Sequence, residues 1–399
     1  MKFRLLGSIL LIVGSSIGAG MLALPLATSQ LGFLGSVGLL FLCWFVMTAG
    51  GLLILEVNLW LPQSSHLISM AKATIGPVGQ LLSWIMYLLL LYSLLCAYIA
   101  GGSDLFHHLF LSSHFAFPRW VASVLFTGLL GLVVFLGIHA VDYANRVLMM
   151  VKLGAFVSLA FCLAPFISAK HLMASGFSGA TFAAALTVTV TSFGFSAIVP
   201  SLRVYFAGNV KKLRMAIIVG SLIPLVCYIV WDAAIMGVIP RGGQHGLMAV
   251  LHSTNATSDL VNTISAVASH GAVTLFAKLF TSVCVVTSFI GVALCLSDFL
   301  ADGLQLEKKG MGGVVIHLMV LMPPLLLVLF YPHVFVKALV YAGIYCVVLL
   351  VFIPACMAWV GRYHRHKTSE SGYRVAGGKP LLLFLLGFSL LTVVWGLIG

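Results

Sequence analysis

The stretch "GSSIGAGMLALP" at residues 14–25 decides the fold, because it puts three glycines, two serines and a proline inside the first long apolar run. Glycine, serine and proline all weaken the interior of a helix. A second apolar run holds a similar stretch, "TSFGFSAIVPSL" at residues 191–202. We therefore expect two interrupted helices, one near the start of the chain and one near its middle.

The composition places the chain in a membrane. Of its 399 residues, 61% are hydrophobic and only 8% are charged, which is outside the range of ordinary soluble domains. Apolar segments of about 20 residues cross a lipid bilayer as helices, because lipid offers the backbone no hydrogen-bond partners. We predict an all-α integral membrane protein that forms one domain over residues 1–399 and crosses the bilayer eleven times. The predicted crossings are residues 5–29, 33–60, 80–105, 119–139, 147–168, 181–207, 214–239, 271–301, 314–331, 335–360 and 380–398.

Lysine and arginine predict the orientation of these crossings. Both residues collect in cytoplasmic loops, and with a cytoplasmic N-terminus 16 of the 21 lie on the inner side. An odd number of crossings then makes the C-terminus periplasmic. The basic residues are dispersed among short loops, so this topology explains the net charge of +12. We therefore expect a lipid bilayer and no nucleic acid as the macromolecular environment.

The sequence contains no recognisable catalytic machinery. All eight cysteines lie in apolar segments, where they pack as small apolar side chains. The histidines lack cysteine or carboxylate partners at metal-binding spacing. We find neither a nucleophile with its base nor a phosphate-binding loop. We therefore expect no enzyme activity, no cofactor and no bound metal.

The two interrupted helices indicate an inverted repeat. Each begins a set of five predicted crossings, residues 5–168 and 181–360, and an odd number of crossings gives the two sets opposite orientations. Residues 380–398 then form an extra C-terminal helix. Broken helices at matching positions of inverted repeats mark the central site of a transporter. Freed N–H groups there attract a carboxylate, and freed carbonyls attract an ammonium group or a cation.

A simpler interpretation of the two stretches stays open. Small residues also allow close packing between membrane helices, and a proline also makes an ordinary kink. Either stretch alone fits that interpretation. Two such stretches, each at the start of its own set of five crossings, favour the transporter site.

Several motifs resemble one known family. They are "GSSIGAGMLALPLATSQLGF", "TSFGFSAIVPSL" followed by "GNVKKLR", "TSFIGVALCLSDFLAD", "PPLLLVLFYPHVFVKALVYAG" and "GYRVAGGKP". Over nearly all of its length the chain resembles the bacterial hydroxy and aromatic amino acid permeases, and among them the tyrosine-specific permeases. The resemblance implies the LeuT-like five-plus-five inverted-repeat fold of the amino acid, polyamine and organocation superfamily, in the bacterial inner membrane. It also implies uptake of an aromatic amino acid, tyrosine first, by proton symport.

Three alternatives to that function stay open. Sodium could be the coupling ion in place of the proton. Tryptophan or phenylalanine could be preferred over tyrosine. The same fold could also act as a membrane-embedded amino acid sensor without net transport.

Related folds imply which residues would bind the substrate. Its carboxylate would meet the backbone of the first break, which here comprises Ser15, Ser16, Ile17, Gly18, Ala19, Gly20 and Met21. Its ammonium group would meet carbonyls around Thr191, Ser192, Phe193 and Gly194. An aromatic side chain needs a flat apolar slot with a polar group at its end. The candidates for this slot are Leu94, Tyr98, Phe193, Phe195, Ser288 and Val292, and plain packing is their alternative role.

Lys152 is the candidate for coupling. It lies in "NRVLMMVKLGAF" at residues 145–156, about one and a half turns beyond the basic Arg146 that marks the membrane interface. In related sodium-coupled folds a cation sits between the first break and helix eight, and in some proton-coupled relatives a helix-five lysine takes that place. The residues that would surround the cation here are Gly14, Ile17, Cys284, Thr287 and Ser288. The alternative is a lysine that snorkels to the cytoplasmic interface.

Other charged residues also fall inside apolar segments. They are Glu56, Asp232, Lys278, Asp298 and Asp302. A charge in hydrocarbon usually has a partner or a task. Because all five lie toward segment ends, we interpret them as snorkelling or end-capping residues.

Overall fold

The structure is a computed structural model, and it describes residues 2–63, 65–111, 118–136, 138–173, 179–206, 209–243, 246–251, 253, 255–268, 271–308, 310–369 and 371–398. Within these ranges the regular structure is entirely helical, with eighteen α-helices. In chain order they are α1 Lys2–Ser16, α2 Ala19–Thr28, α3 Gly32–Leu59, α4 Leu67–Thr74, α5 Pro77–Leu111, α6 Arg119–Phe135, α7 Ile138–Leu163, α8 Ala169–Met173, α9 Gly179–Ser192, α10 Val199–Tyr205, α11 Val210–Val238, α12 Leu247–Leu251, α13 Ala256–Ala268, α14 Gly271–Leu304, α15 Gly310–Phe330, α16 Phe335–Val347, α17 Ile353–Tyr363 and α18 Gly378–Ile398.

The helices confirm a multi-pass membrane protein. Nine helical stretches in the described ranges are long and apolar enough to cross a bilayer. Two shorter apolar helices, Gly7–Ser16 and Arg119–Phe135, fall where the first and fourth crossings are predicted. The first is short because the chain breaks after Ser16, and the second because α6 ends at Phe135. The total of eleven crossings therefore stays a prediction.

The first interruption lies at Ile17 and Gly18. α1 closes with a hydrogen bond from the Ile17 amide to the Val13 carbonyl (2.8 Å), and α2 opens with one from the Met21 amide to the Gly18 carbonyl (3.1 Å). Gly18 has φ −155° and ψ −157°, an extended conformation that any residue can adopt. The break is therefore one extended residue between two helices.

The second interruption is longer and wound differently. α9 ends at Ser192, and a 3₁₀ segment, Gly194–Ile198, leads into α10. Pro200 lies in the first turn of α10, where its missing N–H costs little because that group has no helical acceptor. The tighter 3₁₀ winding keeps the chain helical through the second interruption. At the first interruption, by contrast, the chain is extended.

The two interrupted segments lie side by side in the centre of the bundle. α2 packs directly on α9, and α1 packs on α11. α14 packs on both α5 and α7, and α16 packs on both α5 and α9. The long helices α11 and α14 therefore contact the first interrupted segment, and α5 and α7 pack on α14.

Glu56 does not snorkel, so our interpretation of this residue was wrong. Its side chain on α3 is 1% exposed and pairs with Arg362 on α17, which is 2% exposed. Arg362 Nε donates to Oε1 at 2.7 Å and Nη2 to Oε2 at 2.5 Å. The Val375 amide adds a third hydrogen bond to Oε2 at 2.7 Å. A carboxylate with these partners is a buried structural ion pair.

Candidate functional site

Lys152 reaches the first break. Its side chain on α7 is 1% exposed, and its Nζ donates to the Ile17 carbonyl at 2.6 Å. Nζ also lies 3.4 Å from the Thr287 Oγ1 on α14. No carboxylate of the described residues pairs with this ammonium group. Lys152 therefore does not snorkel, and it joins α7, the first break and α14 at one point.

Only some of the other predicted coupling residues contact the Lys152 ammonium group. The Thr287 hydroxyl lies 2.9 Å from the Val283 carbonyl and 3.1 Å from the Cys284 carbonyl of its own helix, and it donates its one hydrogen there. Gly14 faces α7, where a methyl group added to it would overlap the Met149 side chain. Gly14 thus makes room for α7, while the contacts of the ammonium group are with Ile17 and Thr287.

Ser288 binds the first break on the side next to Lys152. Its Oγ accepts a hydrogen bond from the Ala19 amide at 2.9 Å and so satisfies one of the free N–H groups at the start of α2. A methyl group added to Gly18 would overlap this hydroxyl. The Tyr98 hydroxyl on α5 also interacts with the Ser288 side chain. Four predicted substrate residues, Gly18, Ala19, Tyr98 and Ser288, therefore meet at the N-terminus of α2.

Tyr228 on α11 connects the two breaks, and the sequence analysis missed it. Its hydroxyl lies 2.7 Å from the Ser16 carbonyl and 2.7 Å from the Ser192 carbonyl. Its ring is fully buried and meets the Phe193 ring edge to face, with centroids 5.0 Å apart. A tyrosine within an apolar crossing needs a partner for its hydroxyl. This need for a hydrogen-bond partner was the one sequence feature that could have pointed to Tyr228.

The second break is more loosely surrounded. Thr191 Oγ1 lies 2.9 Å from the Thr187 carbonyl and 3.1 Å from the Leu339 carbonyl on α16, and its one hydrogen can go to either. A methyl group added to Gly194 would meet only the Cys346 Sγ, at 3.5 Å, which is an ordinary van der Waals contact. Gly194 therefore has space beside it that Gly18 lacks.

The candidate slot residues divide into two groups. Leu94 and Val292 are half-buried and lie one helical turn from Tyr98 and Ser288 on the same helices. Phe195 is 1% exposed and faces α3, where a methyl group added to Gly51 would lie 3.6 Å from its ring. The first group lies on the helix faces that carry Tyr98 and Ser288, and Phe195 packs on α3.

Three residues of the predicted carboxylate site differ from one another. Ser15 is exposed, and its hydroxyl donates to the Ile12 carbonyl at 2.9 Å. Met21 is fully buried. Gly20 faces the second break, since a methyl group added to it would lie 3.3 Å from the Ser192 Oγ.

Comparison with known proteins places the chain in a family. The sequence model of the tryptophan/tyrosine permease family matches residues 1–396. The chain is 34% identical over 384 residues to tyrosine-specific transport system 1 of Haemophilus influenzae, covering 96% of this chain and 94% of that protein. It is 32% identical over 410 residues to a tryptophan-specific transport protein of Haemophilus influenzae, covering 98% and 94%. It is also 31% identical over 402 residues to glutamine transporter 2 of Aliivibrio fischeri, covering 99% of each chain.

The family match covers residues 1–396, a range that contains both breaks. The relatives carry names of transport proteins and not of enzymes. The chain therefore belongs to the tryptophan/tyrosine permease family, as a multi-pass membrane transport protein.

Proposed function

We propose that this protein is a secondary active transporter that imports an aromatic amino acid, tyrosine first, by proton symport with alternating access. The family and the names of the tyrosine- and tryptophan-specific relatives support an aromatic substrate. The proposal includes a LeuT-like inverted repeat of residues 5–168 and 181–360 with eleven crossings. It also includes the bacterial inner membrane, with a cytoplasmic N-terminus and a periplasmic C-terminus.

The contact of Lys152 with the first break is the observation that supports proton coupling. The ammonium group supplies a positive charge at the Ile17 carbonyl and the Thr287 hydroxyl, which are oxygen ligands of the kind that suit a sodium ion. A lysine that loses its proton to water loses that charge and weakens its bond to Ile17. Release of the proton would then loosen α7 from the first break, which is the movement that alternating access needs.

The substrate fits between the two breaks. The positive N-terminal end of α2 attracts a carboxylate, which would compete with Ser288 for the Ala19 amide. The carbonyls of Ser16 and Ser192, both next to the Tyr228 hydroxyl, suit an ammonium group. Tyr98 would then meet the aromatic side chain.

Uptake of labelled tyrosine into proteoliposomes tests the coupling ion. A pH gradient, alkaline inside, is imposed without sodium, and a sodium gradient is imposed separately at equal pH. We expect accumulation with the pH gradient alone. Concentrative uptake driven by sodium at equal pH would overturn proton coupling and make Thr287 and Ser288 sodium ligands. Tyrosine binding without accumulation under either gradient would favour the sensor.

Competition by unlabelled amino acids tests the substrate. We expect tyrosine to compete best, with phenylalanine and tryptophan weaker. A slot that only packs the ring separates tyrosine from phenylalanine by about 10- to 100-fold at most, whereas a slot that pairs the phenol separates them far more. Glutamine is the informative negative control, because a relative named as a glutamine transporter covers the whole chain. Competition by glutamine or leucine without competition by phenylalanine would contradict an aromatic substrate.

A further inference from the structure

Asp232 is a further buried ionisable residue, at the end of α2 that lies away from the first break. It lies on α11 one turn beyond Tyr228 and is 0% exposed. Our interpretation of Asp232 as a snorkelling or capping residue was therefore wrong, because no part of it reaches the surface.

Two hydroxyl groups meet one oxygen of this carboxyl. Ser36 on α3 donates a short hydrogen bond to Oδ2, and Thr28, at the end of α2, lies 3.4 Å from the same atom. The two hydroxyls also contact each other at 3.1 Å. The other oxygen, Oδ1, has no hydrogen-bond partner among the described residues. The carboxyl thus joins the far end of α2 to α3 and α11.

No described cation balances a charge at this position. The groups that act on Asp232 are Ser36 and Thr28, and no described lysine, arginine or histidine acts on it. The neighbouring Trp231 packs its ring on Phe156 and Phe280. The described basic residue that contacts this end of α11 is His171 on α8, which bonds the Gly237 carbonyl (3.1 Å) more than one turn further along.

Comparison with Glu56 shows which partners the Asp232 carboxyl lacks. Glu56 is equally buried but has the guanidinium of Arg362 and a backbone amide as partners. A carboxylate without such partners costs several kcal/mol in apolar surroundings, so the neutral acid is the stable form in this packing. Hydroxyl groups both donate and accept. Ser36 and Thr28 can therefore accept from the acid or donate to the carboxylate.

We propose that Asp232 is a second proton-binding residue of the transport cycle, at the end of α2 opposite to the end that Lys152 contacts. The inference rests on the proposed function. With the proton bound, the neutral acid lets α2, α3 and α11 pack together without a counter-charge. Release of the proton to water leaves an unpaired carboxylate that favours hydration, so α2 separates from α3 and α11 there. The two ends of α2 would then respond to protons at different residues.

The limiting accumulation of tyrosine tests this inference. With the membrane potential held at zero, each coupled proton multiplies the accumulation about tenfold for each pH unit of gradient. We expect about 100-fold accumulation per pH unit for the wild type and about tenfold for Asp232→Asn, which copies the shape of the neutral acid. Asp302→Asn is the matched control, because it makes the same substitution at an exposed carboxyl on α14, and it should stay near 100-fold. A wild-type value near tenfold, or an unchanged value in Asp232→Asn, would overturn the inference.

Infrared spectroscopy of the purified protein gives a readout that does not need transport. The chain contains only 9 acidic residues, so the band of one buried protonated carboxyl can be assigned. We expect a band that is lost at alkaline pH in the wild type and is absent from Asp232→Asn. A band that persists in this variant, or a sodium-dependent carboxylate in its place, would overturn proton binding. A wild type that never accumulates tyrosine would overturn the proposed function, and the infrared band would then decide the proton-binding claim alone.

Discussion

The two breaks look alike in sequence and differ in structure. The first is one extended residue held by Lys152 and Ser288. The second is a 3₁₀ segment, Gly194–Ile198, that stays wound and has free space beside Gly194. Similar glycines and prolines therefore mark where a helix is interrupted, but the neighbouring helices decide what the interruption does. The first break is contacted by the Lys152 ammonium group, and the second has free space beside the Gly194 backbone.

Loss of Lys152 should give the largest effect and should act on the first break alone. Lys152→Ala leaves the Ile17 carbonyl without its donor and removes the positive charge between α7 and α14. We expect pH-driven accumulation of tyrosine to fall from at least about tenfold per pH unit to none, while tyrosine binding is retained. Accumulation in proteoliposomes and binding to the purified protein measure the two effects.

The matched control for this variant is Lys278→Ala. Lys278 also lies in an apolar helix, α14, but its side chain is exposed, so we expect nearly normal accumulation. Normal accumulation by Lys152→Ala would show that this lysine only anchors a helix end.

Alanine at the two glycines compares the breaks directly. Gly18→Ala pushes the Ser288 hydroxyl away from the Ala19 amide, and a lost hydrogen bond at an ordered site costs about 1–2 kcal/mol, or about tenfold. Gly194→Ala makes only one ordinary contact, with Cys346, so we expect less than about a twofold change. Valine, which is larger and branched, should stop uptake at either position. Initial uptake rates of well-inserted protein measure these effects.

A separate variant tests whether loss of the Ser288–Ala19 hydrogen bond causes the effect of Gly18→Ala. Ser288→Ala removes the same hydrogen bond to Ala19 without adding bulk, so it should match Gly18→Ala. Equal losses at Gly18 and Gly194 would show that the two breaks do not differ as the packing indicates.

Tyr228→Phe should have a smaller effect than Gly18→Ala, and it acts on both breaks together. The ring stays packed on Phe193, while the hydroxyl contacts to Ser16 and Ser192 are lost. Net loss of a neutral hydrogen bond costs about 1 kcal/mol, so we expect about a fivefold rise in KM for tyrosine. Unchanged KM together with a lower Tm would contradict a role in the site and indicate a structural one.

The sequence predicts the helices and the breaks well, because both depend on local chemistry. Apolar length identifies the crossings, and glycine with proline identifies the interruptions at Gly18 and Gly194. The position of Lys152 also has a local signal, since it lies deeper in an apolar run than Arg146. These features need no knowledge of which helices touch.

The remaining features depend on contacts between distant segments. Glu56 meets Arg362 across 306 residues, and Tyr228 meets Ser16 across 212. Hydrophobic patterns show which residues face inward but not which neighbour they meet. The sequence therefore gave Glu56 and Asp232 one interpretation, although one has a guanidinium partner and the other has none.

The Tyr228 hydroxyl has fewer hydrogens to donate than it has carbonyl oxygens beside it. A phenol carries a single hydrogen to donate, yet two carbonyl oxygens lie 2.7 Å from it, on Ser16 and on Ser192. At any moment one of these oxygens receives the hydrogen and the other does not. In the proposed function the ammonium group of the substrate has three hydrogens, so it would let both backbone oxygens be satisfied at once.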